Sequence, residues 1–242
     1  MSEFKLPTEE VTLPSKGLLY PEGSELAKGV VEIKYMTAKE EDILTNQSYI
    51  KNGTVLDKLM KSLIVSKINY DDLLIGDKNA IMIASRILGY GKDYTFDYGG
   101  ETHTVDLTQL ENKELNEELF TARVNEFQFT LPHSENVITF KFLSHKDEQE
   151  IQRELDGLKK ISKDNSPELS TRLKYLITSV EGKRDKKDIR EFVDNYLLAR
   201  DSRELRAYIR EIQPDVDLTF FPDGSNDRIN IPIGISFFWP EL

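Results

Sequence analysis

Three histidines, His103, His133 and His145, are the side chains of this sequence best suited to acid–base or metal chemistry, and their spacing organises neither. None stands at ligand distance in sequence from another histidine, and the chain has no cysteine, so thiolate zinc sites and disulfides are excluded. Each reads as a surface or capping residue. The acidic clusters Glu40-Glu41-Asp42, Asp71-Asp72 and Asp147-Glu148 could hold a cation or share a proton. Two of them fall in expected first helical turns, where negative charge complements the helix dipole. Gly89-Tyr90-Gly91-Lys92 lacks the glycine spacing and the Ser or Thr of a phosphate loop, and it follows a helix instead of preceding one. The serines form no nucleophile elbow. Lys183-Arg184-Asp185-Lys186-Lys187 is interrupted by acid and reads as a solvated loop. No catalytic residue, cofactor or metal site is expected.

The elements that would position these residues follow a repeated order. Val11 and Leu13 begin an extended arm over 1–29, in which Pro14, Gly17, Pro21 and Gly23 forbid a helix. Val30–Met36 reads as a strand with Val31, Ile33 and Tyr35 on one face. Thr37 and Glu40 form a helix-starting capping box. A helix over 54–64 buries Leu56, Leu59, Met60 and Leu63, and another, N-capped by Asp77 and stopped by Gly89, buries Ile81, Ala84, Ile87 and Leu88. Tyr94–Tyr98, Gly99-Gly100 and Thr102–Leu107 read as a β-hairpin.

The second half repeats that grammar. Ile33–Glu41 aligns without a gap on Phe140–Glu148, placing Ser144 and Asp147 where Thr37 and Glu40 stand. Asp77 then aligns with Asp201, Ile81 with Leu205, Arg86 with Arg210, and Asp93, Thr95 and Phe96 with Asp217, Thr219 and Phe220. The expected fold is α+β, as two related copies of a strand–helices–β-hairpin unit behind an extended N-terminal arm. The first copy spans 30–107. The polar stretch 108–136 is the linker and start of the second unit, and 137–242 is the second copy with a helical insert and an aromatic C-terminus. Thr37, Asp77, Ser144 and Asp201 are the candidate helix caps.

With 38% hydrophobic and 31% charged residues, the 242-residue chain can bury a core and hydrate its surface. A net charge of -11 makes phosphate backbones and anionic lipids poor partners, and no apolar run is long enough for a membrane span. The first ten residues lack the basic start and apolar stretch of a signal peptide. Two apolar segments fall outside the repeats. Leu18, Leu19 and Tyr20 lie in the proline-bracketed arm, and Phe237, Phe238 and Trp239 close the chain. These six are the candidate partner-binding residues, as anchors either for the core or for a neighbour.

The strings Leu13-Pro14-Ser15-Lys16-Gly17 with Tyr20-Pro21, Tyr35–Leu44, Gly76-Asp77-Lys78-Asn79-Ala80 with Arg86 and Gly89-Tyr90-Gly91, Arg190–Asn195, Pro214–Asp217 and Phe237-Phe238-Trp239-Pro240 resemble the baseplate hub protein family of T-even-type, contractile-tailed bacteriophages. The likeness runs nearly end to end and includes no catalytic signature. It implies a structural or assembly role in the hub, in a virion tail assembled in the host cytoplasm. Other hub or wedge proteins would be its partners, and a homo-oligomer is allowed. The family includes both a hub subunit and an assembly factor. A transient assembly chaperone absent from the mature virion is thus the alternative. A metal-dependent hydrolase is a lesser one, requiring histidines and carboxylates to converge in a cleft.

Overall fold

The computed structural model describes residues 6–120, 123–161, 167–222 and 228–238. In chain order these residues form β1 (Thr8–Thr12), β2 (Val30–Lys34), α1 (Ala38–Leu44), α2 (Gln47–Lys51), α3 (Val55–Leu63), α4 (Ile75–Tyr90), β3 (Asp93–Tyr98) and β4 (Glu101–Asp106). They continue with β5 (Phe127–Thr130), β6 (Val137–Phe140), α5 (His145–Ile161), α6 (Glu168–Leu176), β7 (Ile177–Val180), α7 (Lys186–Asn195), α8 (Ala199–Ile212), β8 (Thr219–Phe220) and β9 (Ile229–Asn230). Helices and small antiparallel sheets make this an α+β fold.

The chain divides into two compact units that do not follow the limits 30–107 and 137–242. One comprises 1–68, 76–115 and 214–242, and the other 69–75 and 116–213. The last hairpin, β8–β9, therefore belongs with the first unit.

In the first unit, β1 and β2 pair antiparallel, with Val11 opposite Val31, and Val31 and Ile33 turn inward. The period of two in this strand leaves Glu32 and Lys34 on the opposite face. Thr37 starts α1 as its N-cap. α3 buries Val55, Leu59, Met60 and Leu63 on one stripe. α4 is apolar on more than one stripe: Ala80, Ile81, Met82, Ile83, Ser85 and Arg86 are all buried, whereas Ala84, Ile87 and Leu88 are half-buried. A helix hydrophobic on most sides belongs inside a core, and α4 is the central rod of this unit. Its stop is Gly91, in the left-handed region at φ 86°, with Gly89 still helical and its Cα close to the Met36 side chain. The turn at Gly99 and Gly100, both at positive φ, joins β3 to β4, where Phe96 faces His103.

In the second unit, β6 is the centre of a three-stranded sheet, between β5 and β7. Phe127, Phe140 and Phe142 stack near one another, with ring centroids 4.8–6.3 Å apart, and Phe120 joins them. α5 carries Ile151 and Leu155 inward, and α8 carries Leu205 and Ile209. α7 opens at Lys186 because Asp185 caps it, accepting a hydrogen bond from the Lys187 N–H at 2.9 Å. The expected solvated loop at 183–187 is thus half helix start.

Candidate functional site

The arm is folded tightly enough to act as a structural lock. The Leu13 N–H donates to the Gly29 carbonyl at 2.8 Å, and Lys16, Gly17 and Gly29 all take positive φ. A Cβ on Gly17 would stand 2.5 Å from the Ala27 oxygen, so only glycine admits this approach. The turn delivers Ser15 and Tyr20 to the side chain of Asp77. The Ser15 N–H donates to Oδ1 at 2.9 Å, its hydroxyl to Oδ2 at 2.7 Å, and the Tyr20 hydroxyl to Oδ2 at 2.6 Å. Burial raises the Asp77 pKa, these donors oppose that shift, and the nearby Asp215 carboxylate adds to it.

Asp77 is therefore not the N-cap expected of it. It is the third residue of α4, and its carboxylate binds a segment about sixty positions upstream. The same correction applies to Asp201, third in α8, which accepts from the His133 N–H at 2.8 Å and the Ser134 N–H at 3.0 Å. Its pKa is lowered: burial pushes it up, but these donors outweigh burial. Thr37 and Ser144 do stand at helix starts. Thr37 donates to Glu40 Oε2 from its N–H at 3.0 Å and its hydroxyl at 2.6 Å. Ser144 and Asp147 exchange bonds in both directions, at 2.9 and 3.3 Å.

Further along α4, Asn79 donates to Asp215 Oδ1 at 3.0 Å. The Arg86 guanidinium, buried, donates to three backbone carbonyls: Phe237 at 2.8 Å, Gly91 at 2.9 Å and Asp93 at 3.2 Å. It lies over the rings of Tyr90 and Tyr94. An aromatic row links Phe238, Phe237, Tyr94, Phe96 and Phe220 at centroid distances of 4.7–6.2 Å.

This geometry decides most of the candidate anchors. Leu19, Tyr20, Phe237 and Phe238 are buried inside the first unit, and Leu18 is half-buried. Of Phe238 and Trp239, either of which could reach a neighbouring subunit, Phe238 is fully enclosed. Trp239 lies outside the described residues. Ile229 and Ile231 are buried, and β9 is two residues long.

The histidines do not converge. His103 packs beside the rings of Phe96 and Phe220, His133 is exposed in the turn held by Asp201, and His145 is buried against Tyr70. Of the two roles expected of it, surface or capping, burial excludes the first, and His145 does stand at the first position of α5. Among the described residues no group of three or more His, Asp or Glu side chains could hold a metal ion, and no helix is long and apolar enough to cross a membrane.

The second unit has a charged cleft of about 220 Å³ lined by Lys141, Asp147, Lys174, Arg184 and Arg190. Of its cations, Lys141, Lys174, Arg184 and Arg190 are held in ion pairs. Lys141 meets Asp147 at 2.6 Å, Lys174 meets Asp194 at 2.7 Å, and bidentate bonds join Arg184 to Glu126 and Arg190 to Glu154. A phosphate would have to displace carboxylates already in fork geometry.

Glu40 gives the clearest pH signal. Its buried carboxylate accepts from Lys34 at 2.8 Å, from Ser62 at 2.7 Å and from Thr37. Burial pushes its pKa up, but the Lys34 ammonium and the hydroxyls outweigh burial and bring it from 4.5 to about 2. A depressed folded pKa stabilises the fold above the unfolded value and is lost as pH falls from about 4.5 towards 2. The full effect is about 3 kcal/mol. Glu40→Gln is expected to lower the urea midpoint at pH 7, and its gap from wild type is expected to narrow steadily as pH falls from 4.5 to 2.5. A constant gap across that range would refute this assignment.

Comparison with models of known families, with curated proteins and with solved structures finds no match to this chain.

Proposed function

We propose that the chain is a structural or assembly component of a contractile-tailed bacteriophage baseplate hub, acting by binding other hub or wedge proteins and catalysing no reaction. The observation that carries this reading is where the family-like strings lie. Leu13–Pro21, Tyr35–Leu44, Gly76–Ala80, Arg86 with Gly89–Gly91, Pro214–Asp217 and Phe237-Phe238 fall in the first unit, where Ser15, Tyr20 and Asp77, Asn79 and Asp215, and Arg86 and Phe237 are hydrogen-bonded partners, and of the family-like strings Arg190–Asn195 alone lies in the second. Segments so far apart in sequence are similar together because they build one framework. The shared residues then specify a shape rather than a reaction.

The two-copy organisation belongs to the same proposal. Its support is the repeated placement of charge: Lys34 pairs with Glu40 and Lys141 with Asp147, six residues apart in each case. Asp77 and Asp201 each stand third in a helix and each bind the backbone of an upstream turn.

Mass spectrometry of purified particles of the phage encoding this chain tests the role. A structural subunit is expected at stoichiometric abundance. Absence from particles that fail to assemble without the chain would assign it as a transient chaperone. Normal, infectious particles formed without the chain would overturn both.

A further inference from the structure

The second unit presents an exposed surface at the α7–α8 corner that the internal framework does not use. Tyr196 is 62% exposed and Leu198 48% exposed. Immediately beyond them the outer face of α8 carries Arg200, Arg203 and Arg210, all exposed and spaced 3 and 7 residues apart on one helical side. Arg203 contacts Glu204 at 3.6 Å and its side chain is 80% exposed. A groove of about 540 Å³ runs beside them, lined by His133, Ala199, Arg200, Arg203 and Glu204. Tyr196 lines a separate cleft with Glu191 and Phe192, one turn of chain before the arginines, and exposed tyrosine and arginine are the residue types enriched in interface hot spots. On a chain of net charge -11, a row of arginines is also the place where an acidic surface can approach without repulsion.

The chain carries such an acidic surface itself. In the first unit, Glu111 and Glu114 are exposed and flanked by the half-exposed Leu110 and Leu115. Backbone bonds from Asp217 N–H to the Glu111 carbonyl at 2.8 Å and from Lys113 N–H to the Asp215 carbonyl at 2.9 Å hold that stretch in place. Charge and apolarity on this stretch are complementary to those of the α8 face. We propose that the Tyr196–Leu198–Arg200–Arg203 face docks the Glu111–Glu114 stretch of a second copy of the chain. This pairing does not depend on the baseplate reading and would hold in any assembly.

Sedimentation velocity at 5–100 µM, on the order of the weak-complex range, gives the test. Wild type is expected to self-associate. Arg200→Glu/Arg203→Glu and Glu111→Lys/Glu114→Lys are each expected to weaken association at least tenfold, because like charges then face each other. Tyr196→Ala is expected to weaken it several-fold. Mixing the two charge-reversed proteins restores opposite charges at both contacts and is expected to give a 1:1 complex. All substituted residues are exposed, so unchanged thermal unfolding confirms that each variant is folded. Monomeric wild type, variants that associate as wild type does, or a mixture that stays monomeric would each overturn the proposal. So would a monomeric wild type that binds a duplex oligonucleotide through Arg200 and Arg203, which would assign the face to phosphates.

Discussion

Replacing Asp77 with alanine is expected to destabilise the protein by about 4 kcal/mol, because three buried donors then lose their acceptor at once. The Ser15 N–H, the Ser15 hydroxyl and the Tyr20 hydroxyl all end on this carboxylate. For a chain of this length the change corresponds to a fall of roughly 8–15 °C in melting temperature. Asp77→Asn separates charge from hydrogen bonding. It keeps an acceptor for the Ser15 N–H but offers an amide to hydroxyls that need to donate. It also removes the buried charge whose pKa burial raises. Stability linked to a raised carboxyl pKa is greatest at low pH and is lost as pH rises through the folded value. The asparagine variant is thus expected to fall between wild type and alanine at neutral pH. Hydrogen exchange supplies a local readout, since residues 13–21 should lose protection in the alanine variant before the sheet of the second unit does. Unchanged melting of Asp77→Ala would show that the arm is held by packing alone.

Local chemistry was legible in the sequence where its partners were local. Thr37 and Glu40, three residues apart, start α1, and Gly99-Gly100 turns β3 into β4. The apolar stripe of α3 follows Leu59, Met60 and Leu63, with Val55 added and Leu56 half-buried. What failed was the role of a residue whose partner lies far along the chain. An aspartate ahead of an apolar helical run has the pattern of an N-cap, and nothing in the neighbourhood of Asp77 or Asp201 reveals that turns 62 and 68 residues upstream supply the donors. α2 is only five residues long, too short for periodicity to show, although Asn46 caps it. β7 was hidden because Ile177–Val180 continues directly from α6, and its pairing with β6 is visible only in three dimensions. In sequence the aromatic run suits a core or a partner equally, and the first unit encloses Phe237 and Phe238.

Arg86→Ala is expected to cost about 4–5 kcal/mol, the largest effect of any single substitution considered, since bonds to a charged donor are worth roughly twice a neutral one. Its guanidinium ties the end of α4 to the start of β3, through Gly91 and Asp93, and to the chain terminus, through Phe237. Burial lowers its pKa, so the ion is held at a cost that the three carbonyls and the faces of Tyr90 and Tyr94 offset. Arg86→Lys tests that geometry. A lysine keeps the charge but presents one compact ammonium in place of a planar fork, so it cannot reach all three carbonyls and should recover less than half of the loss. Arg210, the residue aligned with Arg86 in the second half, is exposed on α8, so Arg210→Ala is expected to change stability by less than about 0.5 kcal/mol. The terminus provides the second readout. Without Arg86 the Phe237 carbonyl loses its partner, and limited proteolysis should cut within 229–238 faster in Arg86→Ala than in wild type. Equal cleavage, with a melting temperature close to wild type, would mean that the row from Phe96 to Phe238 holds the terminus without the guanidinium.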